Sequence, residues 1–261
     1  MSLPVAARDT WRMESVRLRT VRSSYLLVGV AVVTNGLLAL LLALVVSAGP
    51  MDPDVQAAAL TAGAPAAQLP VLGTLFAMLG VLTVGHDYRY RLVRSVLVAQ
   101  PRRSLLFAVR LGVLAAASGG AALAGVLLGA AICVLLGRRP ELDPASLRVL
   151  LAHLLVVVLS SWLGAGLTWV ARGTVGPIVL LLIVPLMVEP TVTLLGHLHG
   201  RWEVLARVAP WLPSAAARAA TSRRLWGTGP DLGAMAGLGT FAGFTAVVLL
   251  AGWLSLRHRD A

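Results

Sequence analysis

Apolar runs separated by short polar, arginine-bearing segments set the pattern of the chain, at about 25–46, 69–84, 105–136, 147–170, 175–195 and 232–256. Crossing about 30 Å of hydrocarbon at about 1.5 Å per residue takes about 20 helical residues, so each run reads as a membrane-spanning helix. The third is longer than one crossing needs and is expected to tilt or protrude. The second is short and is expected to recruit residues from GAPAAQLP before it or HDY after it. The fold class expected is an all-α membrane protein with six transmembrane helices in a single domain covering residues 1–261.

Three polar segments carry patterns of their own. Residues 10–24 read as a helix with Trp11, Leu18, Val21 and Tyr25 on one side and Arg12, Arg19 and Arg22 on the other. No Gly or Pro separates it from the first span, so it reads as an interfacial elbow helix or, alternatively, as a solvated basic tail. In residues 86–100, Tyr88, Leu92, Val93, Val96 and Leu97 recur at helical spacing opposite Arg91 and Arg94, and Pro101 closes the segment. Such an amphipathic helix lies on a membrane or docks in a partner's groove. Residues 197–230 hold Trp202, Trp211 and Trp226 around an apolar stretch broken by Pro210 and Pro213, which predicts one or two short interfacial or re-entrant helices.

Composition strengthens the membrane reading. The chain is 58% hydrophobic and only 13% charged, with a mean hydropathy of +0.85, far from a soluble domain. The net charge of +11 comes with 22 basic residues that are all arginine. Without lysine, a GxxxxGK[ST] phosphate loop and a Schiff-base lysine are both excluded. Because the basic residues flank apolar runs, anionic headgroups are the expected partners and nucleic acid is not. The single cysteine, Cys133, excludes an internal disulfide and a cysteine-based metal cluster. The basic start followed by a run of span length predicts a retained helix rather than a removable signal.

Arginine placement orients the spans. With the N-terminus inside, 14 arginines fall on the cytoplasmic side and 8 outside, and the outer segment 47–68 has none. The positive-inside rule therefore puts both termini in the cytoplasm.

Three stretches then resemble the membrane permease subunits of ABC-2 type transporters. Residues 14–24, ESVRLRTVRSS, look like the family's ExxKLRTxRST opening, with Arg17 in the lysine position. Residues 87–103, DYRYRLVRSVLVAQPRR, are similar to its EYRxGTIRxTLLAxPRR loop, with Asp87 for the usual glutamate and Arg91-Leu92 for Gly-Thr. Residues 164–190, containing WVARGTVGPIVLLLIVPLMVEP, look like its LGxLxRxxxxAIxxLLLxxLxVEPLL pattern. The resemblance implies a bacterial plasma-membrane exporter of a hydrophobic or amphipathic compound, with no catalysis and no cofactor of its own. ATP and magnesium are expected on a separate cytoplasmic ATP-binding cassette subunit, and a second permease copy or related permease completes the path. It also implies an elbow helix marked by Glu14, Arg17, Arg19 and Arg22, and a coupling helix at 86–100 in which Asp87, Tyr88, Arg89, Arg94 and Pro101 transmit the ATPase's push.

Other residues leave alternatives open. Glu189, before Pro190 in an apolar run, is costly in a membrane and suggests either an outer gate or, about 22 Å along its span, a structural cap near the headgroups. His197 and His199 have no carboxylate or cysteine at ligand spacing, so no metal site is expected. Ser160 and Ser161 lack a GxSxG elbow and are expected to bond to helix backbone. Gly125/Gly129, Gly233/Gly237 and Gly239/Gly243 permit close helix contacts. The rival functions are an ATP-independent secondary transporter, for which inverted repeats and midplane acids are wanting, and an intramembrane enzyme using His153, Glu189 and Ser160.

Overall fold

A computed structural model of the chain describes residues 3–45, 52–62, 71–90, 92, 96, 98, 102–138, 140, 143–196, 202–223 and 232–258. Among them there is no strand. The long helices are α1 (Leu3–Thr20), α2 (Arg22–Val45), α4 (Val71–Arg89), α5 (Arg103–Leu135), α6 (Pro144–Ala171), α7 (Val175–Gly196) and α10 (Ala234–His258). Shorter ones are α3 (Pro53–Thr61), α8 (Glu203–Val208) and α9 (Pro213–Ala220). Five of them, α2, α5, α6, α7 and α10, are long and apolar enough to cross a membrane, and the chain is accordingly an all-α multi-pass membrane protein.

The centre of the bundle is α4, which packs chiefly on α6 and also on α2 and α7. No residue from Leu72 to Tyr88 is exposed. Two glycines make that closeness possible: a Cβ on Gly80 would lie 1.9 Å from the Ser161 carbonyl oxygen, and one on Gly164 would lie 1.9 Å from that of Ala77. Their absent side chains let the α4 and α6 backbones touch. Around this pair, α10 flanks α6, α5 packs on α2 and α6, and α7 lies outermost with most of its surface open.

Four features sharpen the sequence reading. The helix of the second run does recruit His86, Asp87 and Tyr88 and continues to Arg89, with Asp87 and Tyr88 finding partners inside the bundle, so the first residues of the expected 86–100 helix ride on the last turn of α4. The first helix does not run unbroken into the first span: α1 ends at Thr20 and α2 begins at Arg22. No Gly or Pro is needed for this, since Thr20 and Val21 are β-branched and the Thr20 hydroxyl donates to the Arg17 carbonyl at 3.1 Å. The buried side of α1 is Ala6, Thr10 and Glu14, one turn apart, whereas Trp11 is 42% exposed. Finally, the outer segment 47–68 contains α3, whose Gln56 to Thr61 are all buried. Asp52 caps it by accepting from the Asp54 amide at 2.8 Å, with Pro53 at its first position. Asn35 of α2 donates to the Leu60 carbonyl at 3.3 Å, and a Cβ on Gly125 of α5 would lie 2.7 Å from Asn35 Nδ2.

Side chains tie the helix ends together in two groups. At one end, Arg103 at the start of α5 donates to the Leu256 and Arg257 carbonyls, at 2.7 and 3.2 Å, and Arg172 to that of Ser255 at 3.3 Å. Both arginines thus satisfy the orphan carbonyls at the C-terminus of α10. At the opposite end, Arg223 just beyond α9 pairs with Asp143 at 2.7 Å and Asp54 at 3.6 Å, and donates to Ser146 at 2.8 Å. Arg148 donates to the Ser222 and Arg223 carbonyls. The Arg223 guanidinium and the Ser146 hydroxyl and amide hold the Asp143 carboxyl well below the usual carboxylate range.

Candidate functional site

The most unusual chemistry lies where α1, the C-terminus of α4 and the third turn of α5 meet. Arg110 of α5 is 3% exposed, Glu14 of α1 is 1% and Asp87 of α4 is 4%. Arg110 Nη1 donates to Asp87 Oδ2 at 2.7 Å and Nη2 to Glu14 Oε1 at 2.5 Å. Arg17, one turn after Glu14, closes the square: its Nη2 lies 2.5 Å from Asp87 Oδ1 and its Nη1 4.0 Å from Glu14 Oε1. Two carboxylates and two guanidinium groups alternate, so the cluster is electrically balanced.

Each member needs the others. Asp87 sits in the last turn of α4, where the helix dipole opposes a negative charge. Glu14 lies on the buried face of an otherwise basic helix. Arg110 interrupts a 33-residue apolar helix, where an unpaired guanidinium would be costly. Its fork lets one residue hold both acids at once, a geometry that lysine's single ammonium does not offer. Glu14 Oε2 and Arg110 Nε have no hydrogen-bond partner among the described residues. Beside Arg110 and Asp87 is a cavity of about 20 Å³, bounded also by Tyr88 and Trp169, enough for one water molecule.

Packing fixes the square in place. A Cβ on Gly112 would lie 2.9 Å from the Trp11 ring, so α1 approaches α5 as closely as a glycine allows. Phe107 of α5 stacks between Trp169 of α6 and Trp253 of α10, at centroid distances of 4.5 and 5.3 Å. Trp162 Nε1 donates to the Leu111 carbonyl at 2.9 Å. What the arrangement does is mechanical. It joins the two helices on either side of residues 90–102 directly across the base of that segment and locks the N-terminal helix to both.

Of the residues marked for coupling, Asp87 is thus buried in an intramolecular cluster. Tyr88 is half-buried against the core, and Arg89 is exposed beside the Tyr90 ring, 5.8 Å from its centroid. Arg94 and Pro101 lie outside the described residues, as do His197 and His199. Of the elbow residues, Glu14 and Arg17 belong to the cluster while Arg19 and Arg22 are exposed. Arg110 escaped sequence reasoning, which counted it only among the cytoplasmic charges. The signal was present, however, as an arginine two turns inside an apolar run.

Glu189 is 2% exposed and spends its carboxylate on a helix N-terminus: Oε1 accepts from the Ser214 amide at 2.8 Å and Oε2 from the Ala215 amide at 3.0 Å. It stands immediately after a π-helical turn, Val184–Val188, inside α7. The capping alternative therefore describes its geometry, and Pro190 continues the helix after it. Ser160 and Ser161 donate to the Val156 and Val158 carbonyls, both at 2.7 Å. His153 is buried seven residues before Ser160 on the same helix, about 10 Å along it. His153, Glu189 and Ser160 therefore do not form a hydrogen-bonded catalytic set. Comparison with protein-family models and with curated proteins finds no match for the chain.

Proposed function

We propose that the chain is the permease subunit of an ABC-2 type exporter, moving a hydrophobic or amphipathic compound across a bacterial plasma membrane with ATP hydrolysed by a separate subunit. On this reading α4 is the sixth crossing, its 19 residues reaching about 28 Å. The elbow helix is α1, the coupling segment is 86–100, both termini are cytoplasmic, and two permeases form the path.

The observation that carries the proposal is the Glu14–Arg110–Asp87–Arg17 cluster. A chain without a phosphate loop must receive work from outside, and a transmitted push needs a stiff element with a defined base. Asp87 and Arg110 clamp together the two helices that flank the basic segment, so force on that segment moves α4, α5 and α1 as one body. Motif resemblance supplies the identity of the motor, and the cluster supplies a mechanism for its reception.

The test is to isolate the chain with its native associates and ask whether a P-loop ATPase accompanies it. Arg89→Ala is the informative variant, because Arg89 is exposed and outside the buried cluster. Altered ATP hydrolysis with assembly intact is expected. Failure of any ATPase to associate, in detergent or in nanodiscs, removes the reading. Asp87→Ala serves less well here, since it dismantles the cluster itself.

A further inference from the structure

Between α7 and α10 the bundle has a gap. Both helices pack on neighbours, α7 on α4 and α6 and α10 on α6 and α9, but they make no substantial contact with each other. The space between them is a cavity of about 210 Å³. Ala77 of α4 and Leu163 of α6 form its back wall, Val184 and Pro185 of the π-helical turn one side, Phe241 the other, and Ala217 of α9 its end. No charged residue lines it, and of its few hydroxyls that of Ser160 is already given to the Val156 carbonyl.

The mouth identifies the occupant. It is flanked by Leu180, five residues inside α7, and Phe244, near the middle of α10, 50% and 42% exposed, on two helices that qualify as membrane spans. What stands outside is therefore the hydrocarbon interior of the bilayer, not water or headgroups. An apolar cavity of about 150 Å³ already takes a benzene-sized guest and stays dry, so this larger one neither holds water nor excludes hydrocarbon. We propose that it is a binding site for a single alkyl chain of a bilayer lipid, entering sideways between α7 and α10. The chain would rest against the π-helical turn and against the end of α9 whose amides Glu189 holds, so that its presence supports the bulged form of α7. This site does not depend on the transport reading.

The experiment uses the full-length chain in phosphatidylcholine nanodiscs doped with a phospholipid carrying a diazirine at mid-chain. After photolysis, adducts are expected on Ala77 and Ala217, which are 2% and 4% exposed and beyond the reach of lipid on the outer surface. Adducts are also expected on Val247, 66% exposed, and these report ordinary boundary lipid. Filling the cavity from two of its lining residues, with Leu181→Trp and independently with Val248→Trp, should remove the Ala77 and Ala217 adducts and leave those on Val247. Two results overturn the proposal: wild-type adducts confined to exposed residues, or interior adducts that persist in both filled variants. Cross-linking of a second copy at Leu180 or Phe244 in place of lipid adducts would assign the gap to a protein interface instead.

Discussion

Replacing Arg110 by methionine removes the one residue that, among the described residues, hydrogen-bonds both buried acids. The cluster passes from a net charge of zero to −1, with Glu14 left 4.0 Å from Arg17 and otherwise unpaired. Breaking a buried ion pair from one side costs about 3–5 kcal/mol, because an uncompensated charge stays behind. That corresponds to a loss of about 2 to 3.5 powers of ten in the folding equilibrium. The partial exposure of Arg17, 22%, lets solvent soften its own contribution but does not help Glu14, which is sealed. Reversible denaturation in mixed micelles measures the loss. Adding Glu14→Gln to Arg110→Met restores electrical balance and should recover most of it, giving a coupling energy well outside the few tenths expected of independent sites. The reasoning fails if Arg110→Met unfolds within about 0.5 kcal/mol of the parent, the scale of an ordinary surface change, or if the two substitutions are simply additive.

Gly80→Ala and Gly164→Ala each place a methyl group 1.9 Å from a backbone oxygen of the facing helix, and should abolish or sharply reduce recovery of folded protein. Gly120→Ala, with nothing within 4 Å, should be neutral or stabilising by up to about 1 kcal/mol; equal yields for all three would contradict the α4–α6 packing. Glu189→Ala leaves the Ser214 and Ala215 amides without their acceptor and should cost about 1–3 kcal/mol, with faster hydrogen exchange confined to Pro213–Ala220. Glu189→Gln keeps one acceptor and should fall between, and unchanged exchange in both variants would deny the cap.

The helical, membrane-embedded character of the chain was legible because long apolar runs admit few other solutions. The pairing of α4 with α6 was not. The small-residue spacings visible in the sequence led to Gly125 and Gly129, which do face α2 and α3, to Gly237, which faces the α9 backbone, and to Gly239 and Gly243, which face open space. The tightest crossing depends on Gly80 and Gly164, single glycines without a second glycine four residues away. The cluster was half legible: Glu14, Arg17 and Asp87 were marked by resemblance, but as separate surface features. Their union needs Arg110, 23 residues from Asp87 and 96 from Glu14, and periodicity does not report contacts at that separation. In α1 the apolar side with Trp11 was legible, but the inward side was not, because the ion pairs that turn Glu14 into the bundle lie far off in sequence. In α3, a short alanine-rich stretch between Asp52 and Ala62 carried too little pattern to stand out from a loop.

The seclusion of α4 imposes an order on synthesis. Gly164, the counterpart of Gly80, is made 84 residues later, roughly 4 to 17 s at ribosomal speeds of about 5–20 residues per second. During that interval the nascent α4 carries its bare glycine face toward lipid or the insertion machinery. Arg110 emerges 23 residues after Asp87, within about 1 to 5 s. The contacts of α4 with α2 and Arg17, and then with Arg110, are therefore available first, and the backbone-to-backbone seam with α6 closes only afterwards.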